Sequence, residues 1–82
     1  MSDTGRHLRK RSFSLAGHRT SVALEPAFWA VLEQAARARG LSLAALVARV
    51  DEQRTEGTAP LASALRVWAL ENRPQLSSSE SQ

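Results

Sequence analysis

The residues that could do chemistry in this 82-residue chain are few and unevenly placed. Its two histidines, His7 and His18, both lie near the N-terminus, and neither has an acidic or second histidine partner at metal-ligand spacing. Asp51 and Glu52 are adjacent, so on a helix they diverge by about 100° and do not form a paired acid and base. Gly5, Gly17, Gly40 and Gly57 stand apart as breaks rather than together as a phosphate loop, and no cysteine is present to hold a metal or close a disulfide. The expectation is no enzyme, no metal and no cofactor. What remains is positive charge. Residues 1–19 carry Arg6, Arg9, Lys10, Arg11 and Arg19 against Asp3, a net +4, whereas residues 20–82 carry six basic and seven acidic side chains, a net −1. Such a basic run is the footprint of a nucleic-acid or other anionic partner, and equally the composition of a solvated tail.

The elements that must position these charges are legible from periodicity. In Arg19–Leu24 the side chains alternate, Thr20, Val22 and Leu24 to one face and Arg19, Ser21 and Ala23 to the other, as in a half-buried strand. Pro26 follows at once and favours the first position of a helix. A lone strand leaves both edges unpaired, so it must pair with a second copy of the chain or with the segment before it. Parity bears on that choice. Phe13 and Leu15 are odd-numbered while Val22 and Leu24 are even-numbered, so one unbroken strand would put the two apolar pairs on opposite faces. A turn at Ala16-Gly17, pairing Leu15 with His18 and Phe13 with Thr20, gathers Phe13, Leu15, Thr20, Val22 and Leu24 on one face. It leaves Ser12, Ser14, Arg19, Ser21 and Ala23 on the other. A bulge near Gly17, or an arm leaving the sheet there, would solve the same problem.

Downstream the period changes to that of helices. Phe28, Trp29, Leu32, Ala35 and Ala36 form a stripe over a helix from Pro26 to about Arg39, stopped by Gly40. Ser42 is placed to cap a second helix, Leu43 to about Arg54, with Leu43, Leu46, Val47 and Val50 on its apolar face. Pro60 opens a third, to about Asn72, striped by Leu61, Ala64, Leu65, Trp68 and Ala69. Trp29 and Trp68 lie on these stripes and are read as core rather than as base-stacking platforms. The expected division is a flexible basic arm over 1–11, a domain over 12–54, a linker over 55–60, a helix over 61–73 and a disordered tail over 74–82. The core is thin, with 14 alanines, so oligomerisation is the expected source of added stability. No apolar run is long enough to span a bilayer and no secretory segment is visible, which reads as a cytoplasmic protein without a membrane partner.

Strand, helix, Gly40-Leu41-Ser42 turn, helix: over roughly Arg19–Val50 this order resembles the ribbon-helix-helix family of bacterial DNA-binding proteins, such as the CopG, Arc and MetJ repressors. The Gly17-His18-Arg19-Thr20-Ser21 run and the third helix are similar to a bacterial subgroup with an N-terminal extension and an extra C-terminal helix. The resemblance implies a mainly α fold with a short β ribbon, in an intertwined homodimer whose strands pair; the third helix could fold back on that dimer, hold two dimers together as a tetramer, or take a protein partner. Such a ribbon enters the major groove of double-stranded DNA to regulate transcription, as repressors do. It places base contacts at Arg19, Ser21 and Ala23, although Ala23 offers only a methyl where many members carry a polar reader. Phosphate contacts fall at Ser42, Leu43 and Ala44, where a helix N-terminus favours an anion; an arm that peels away from the sheet would let Arg6, Arg9, Lys10 and Arg11 follow the DNA backbone or minor groove. A dimer core is expected from Val22, Leu24, Phe28, Leu32, Leu46, Val47 and Val50. If hairpins formed in both chains and the chains also paired, the sheet would have four strands and be too wide for a groove ~12 Å across. The alternative is therefore a dimeric interaction module, antitoxin-like or an adaptor, that uses the hairpin and the third helix as partner surfaces.

Overall fold

The computed structural model describes residues 7–54 and 60–73, as two strands and three helices: β1 (Arg9–Leu15), β2 (His18–Leu24), α1 (Pro26–Ala38), α2 (Leu43–Gln53) and α3 (Leu61–Asn72). Residues 1–6 of the expected flexible arm, 55–59 of the expected linker and the whole of the expected tail over 74–82 fall outside the described residues.

β1 and β2 form an antiparallel hairpin whose register runs from Leu15 opposite His18, through Phe13 opposite Thr20, to Arg9 opposite Leu24. Of the three ways to reconcile the parity of the apolar residues, the chain takes the two-residue turn. Ala16 and Gly17 both adopt positive φ, 50° and 83°. This is the pattern of a type I′ turn, whose twist matches that of the flanking strands. β2 thus pairs with the segment before it in the same chain, and the ribbon starts at Arg9 rather than at Ser12. The boundary expected after residue 11 needs correcting, because Arg9, Lys10 and Arg11 belong to the strand. A basic sequence reads as a solvated arm. Here cross-strand pairing with Leu24, Ala23 and Val22 holds it.

The strand passes into α1 without a loop. The carbonyl of Glu25 accepts the N–H groups of Phe28 and Trp29 at 2.9 and 3.2 Å, and Pro26 needs no acceptor at the first turn. At the other end Gly40 (φ 71°) donates to the Arg37 carbonyl at 3.1 Å and Leu41 to that of Ala36 at 2.8 Å. That bond pair is the Schellman stop, and it turns the chain towards α2 in two residues. Ser42 Oγ accepts the Ala45 N–H at 3.0 Å and caps α2.

One core unites all five elements. Phe13, Leu15, Val22 and Leu24 from the hairpin meet Trp29, Leu32, Ala35 and Ala36 of α1, Leu46, Val47 and Val50 of α2, and Leu61, Leu65 and Ala69 of α3. Six of the seven residues expected to form a core between chains, Val22, Leu24, Leu32, Leu46, Val47 and Val50, are therefore buried within one chain, while Phe28 keeps a half-exposed ring. The reason is β1, whose Phe13 and Leu15 supply apolar cover from the same chain. α3 folds back onto α1, α2 and β2. Trp68 is only half-buried, its ring beneath the Arg39 guanidinium 5.1 Å from the centroid.

Candidate nucleic-acid interface

The outward face of the hairpin is built by alternation. Each inward residue of the ribbon is matched by an outward neighbour, so Lys10, Ser12 and Ser14 of β1 stand opposite Ala23, Ser21 and Arg19 of β2. All of these are exposed except the half-buried Ala23. Ser12 and Ser21 share a hydrogen bond, Oγ to Oγ 3.2 Å. The face is thus a strip of short hydroxyl side chains with a cation near each end.

The remaining cations are divided by the contacts they make. Arg11, expected to follow a DNA backbone, is turned to the helix side. Its Nη1 lies 2.8 Å from Glu33 Oε2 and its guanidinium 5.2 Å from the centre of the Trp29 ring. Arg66 is bound to Glu25 at 3.0 Å and Arg54 to Asp51 at 2.9 Å. Arg9 is exposed, but its backbone carbonyl accepts the Trp29 indole N–H at 2.8 Å, tying the start of β1 to α1. Lys10 and Arg19 take part in no ion pair among the described residues. His18 is the first residue of β2, exposed beside the turn, and no group of three metal-ligating side chains occurs among the described residues.

A second anion-competent place is the start of α2. With Ala45 satisfied by Ser42 Oγ and Leu46 by the Ser42 carbonyl at 3.0 Å, the N–H groups of Leu43 and Ala44 are the ones left over at the helix start. Leu43 also lines an open hollow of about 330 Å³, together with Glu33, Ala36, Arg37 and Leu41. Arg37 was not among the expected contacts. The signal was present, since it lies off the apolar stripe of α1 only a few residues before the turn.

Glu25 has a different task. Its carboxyl is held below the usual carboxylate range, first by a backbone hydrogen bond at its own residue and then by hydrogen bonding to Arg66. Arg66 Nε and Nη2 donate to Glu25 Oε1 and Oε2 at 3.0 and 3.4 Å, so the carboxylate fastens α3 to the junction of β2 and α1.

Among the described residues, no helix is long and apolar enough to cross a membrane. Comparison with known proteins agrees with the architecture. A solved structure of an uncharacterized protein from Bordetella pertussis Tohama I is similar with a TM-score of 0.76 and 34% identity, over 98% of this chain. The chain spans 65% of that protein's length. No curated protein matches. The family model described as the ribbon-helix-helix domain, a family that typically includes dimeric DNA-binding regulators, matches residues 8–72. With the paired strands, the Gly40 stop and the Ser42 cap all inside that span, the chain belongs to the ribbon-helix-helix domain family.

Proposed function

We propose that this protein is a cytoplasmic, sequence-specific DNA-binding transcriptional regulator, acting as a repressor, that lays the outward face of its ribbon in the major groove. The observation that carries the reading is the division of cations. Arg11, Arg39, Arg54 and Arg66 are engaged by carboxylates or rings, while Arg19 stands on the ribbon face among serines and in no ion pair among the described residues. Two strands make a ribbon the groove accommodates. Arg19 suits guanine O6 and N7, Ser21 suits several base edges, and Ala23 can touch a thymine methyl. Ser42, Leu43 and Ala44 at the start of α2 would take a phosphate, joined by Arg37 and by Arg9 at the ribbon's end. The assembly is a homodimer, or a tetramer of two such dimers, formed through surface outside the intrachain core.

The test is a titration of duplex DNA, both random and selected from a random pool, with wild type and Arg19→Ala at two salt concentrations. Neutralising ~6–10 phosphates should lower affinity by about 10³–10⁵ between 50 and 200 mM salt. Arg19→Ala should cost about 1–3 kcal/mol on the selected duplex and relax the preference at one position. Absence of duplex binding would favour the second reading, a protein-interaction module engaging a partner through α3. One observation favours that reading: Val67 and Leu70 are 53% and 58% exposed, and Leu70 borders a hollow lined also by Ala27, Phe28, Val31 and Ala69.

A further inference from the structure

The arginines of the helical side differ in what holds them. Arg11, Arg54 and Arg66 are each fixed by a carboxylate, which neutralises the charge in the same contact that places the side chain. Arg39, at the end of α1, is fixed by neutral groups. Its guanidinium lies 5.1 Å from the centroid of the Trp68 ring, and its Nη2 donates to Asn72 Oδ1 at 3.4 Å. Asn72 is itself oriented, because its Nδ2 donates to the Trp68 carbonyl at 2.9 Å. The cation is thus placed without being neutralised, and it takes part in no ion pair among the described residues.

A second arginine shares its surroundings. Leu46, Arg49 and Gln53 follow one another at i, i+3 and i+7 on one side of α2, and with Arg39, Leu41 and Trp68 they line a hollow of about 190 Å³. Arg49 also takes part in no ion pair among the described residues, and no carboxylate lines the hollow. Two like charges on one small hollow repel each other, and an anion between them turns that repulsion into attraction.

We propose that this hollow binds the phosphate group of a small soluble molecule, with Arg39 and Arg49 as its cationic ligands, Gln53 as an amide donor and Asn72 as the residue that positions Arg39. Guanidinium forks match phosphate oxygens, and forks arriving from α1 and α2 serve a tetrahedral anion, whose oxygens point several ways, better than a flat carboxylate. The hollow is smaller than the ~300–1,000 Å³ of sites that enclose drug-sized ligands, so it takes the charged group and leaves the rest of the molecule outside. None of these residues belongs to the ribbon face or to Ser42, Leu43 and Ala44, so the site is additional to the DNA contacts above and does not depend on them. With Trp68 and Asn72 on α3, a bound phosphate also fastens that helix to the α1–α2 turn.

The test is a titration of the full chain, in the assembly it forms in solution, with inorganic phosphate against sodium chloride of matched ionic strength. The readout is the NMR signal of each indole N–H. Trp29, whose indole donates to the Arg9 carbonyl at 2.8 Å, serves as the internal reference. A saturable shift of the Trp68 signal with Trp29 unmoved is expected. Arg49→Gln removes an exposed cation and should weaken the apparent affinity about tenfold or more. Asn72→Asp is the sharper variant, since it keeps Arg39 in place with a carboxylate that neutralises it. It should leave Tm unlowered and still lose about tenfold or more in phosphate affinity. No shift, a shift that does not saturate, or wild-type affinity in either variant would overturn the proposal. A duplex titration of the same variants separates the other source of phosphate: a loss of duplex affinity in Arg49→Gln, without saturable binding of inorganic phosphate to the wild type, would assign the arginines to the DNA backbone and overturn the small-molecule site.

Discussion

Ala16 occupies a left-handed conformation that alanine adopts at a cost. Its φ of 50°, followed by 83° at Gly17, places it at the first of the two turn positions that both require positive φ. For an L-residue with a Cβ, that conformation costs roughly 1–2 kcal/mol. Ala16→Asn keeps a side chain but tolerates this region better, and Asn-Gly is the preferred pair for such a turn. A gain of about 1 kcal/mol is expected. Ala16→Gly removes the steric cost entirely but returns roughly 0.5–1 kcal/mol through the greater freedom of the unfolded chain, so its gain should be smaller. For a domain of this size, 1 kcal/mol corresponds to about 4–8 °C in Tm. Gly17→Ala supplies the opposite control. A Cβ added there meets nothing within 4 Å, so its cost, about 1–2 kcal/mol, would be purely conformational. Thermal and urea unfolding of the four proteins checks the order Asn, Gly, wild type, Gly17→Ala. Stability unchanged or lowered in Ala16→Asn, or unchanged in Gly17→Ala, would refute the turn and with it the register that places Ser12 and Lys10 on the outward face.

Three further predictions concern the way α3 is held. Leu65 has no exposed surface, so Leu65→Ala should cost about 2–5 kcal/mol in urea unfolding. Trp68→Ala should cost less, since its ring is half-exposed. Because folding lowers the pKa of Glu25, its contribution is present above the unfolded value near 4.5 and is lost as pH falls through the lower folded value. Glu25→Gln should therefore flatten the stability profile below about pH 4.5, read by circular dichroism across an acid titration, and leave no pH effect of this group near neutrality.

Much of this architecture was legible because local chemistry and global packing agree. The parity of Phe13 and Leu15 against Val22 and Leu24, with Gly17 between, fits a two-residue turn and its register. Pro26, Gly40 and Ser42 mark helix boundaries that the structure reproduces to within a residue or two. The extent of β1 was not legible. Arg9-Lys10-Arg11 contains no apolar residue, and what ties it down is tertiary: an indole N–H of α1 on the Arg9 carbonyl and a carboxylate of α1 on Arg11. For the same reason the cations could not be sorted from the sequence alone. Arg11 and Arg19 look alike in composition, and only the fold brings Glu33 and Trp29 beside one of them. Of the apolar residues expected between chains, all but Phe28 are buried within one chain, and periodicity alone does not say which chain covers them.

A ribbon closed within one chain also changes the order of events in making the protein. Its pairing partners are separated by 3 residues at Leu15 and His18 and by 15 at Arg9 and Leu24, so the sheet is made of short-range contacts. Hairpins of this kind close in about 1–10 μs. Association of two chains at ~10⁵–10⁷ M⁻¹s⁻¹ would take minutes or longer at nanomolar concentration. The outward face of the hairpin therefore matures at a rate independent of how many copies have been synthesised, and the first chain off the ribosome already carries it.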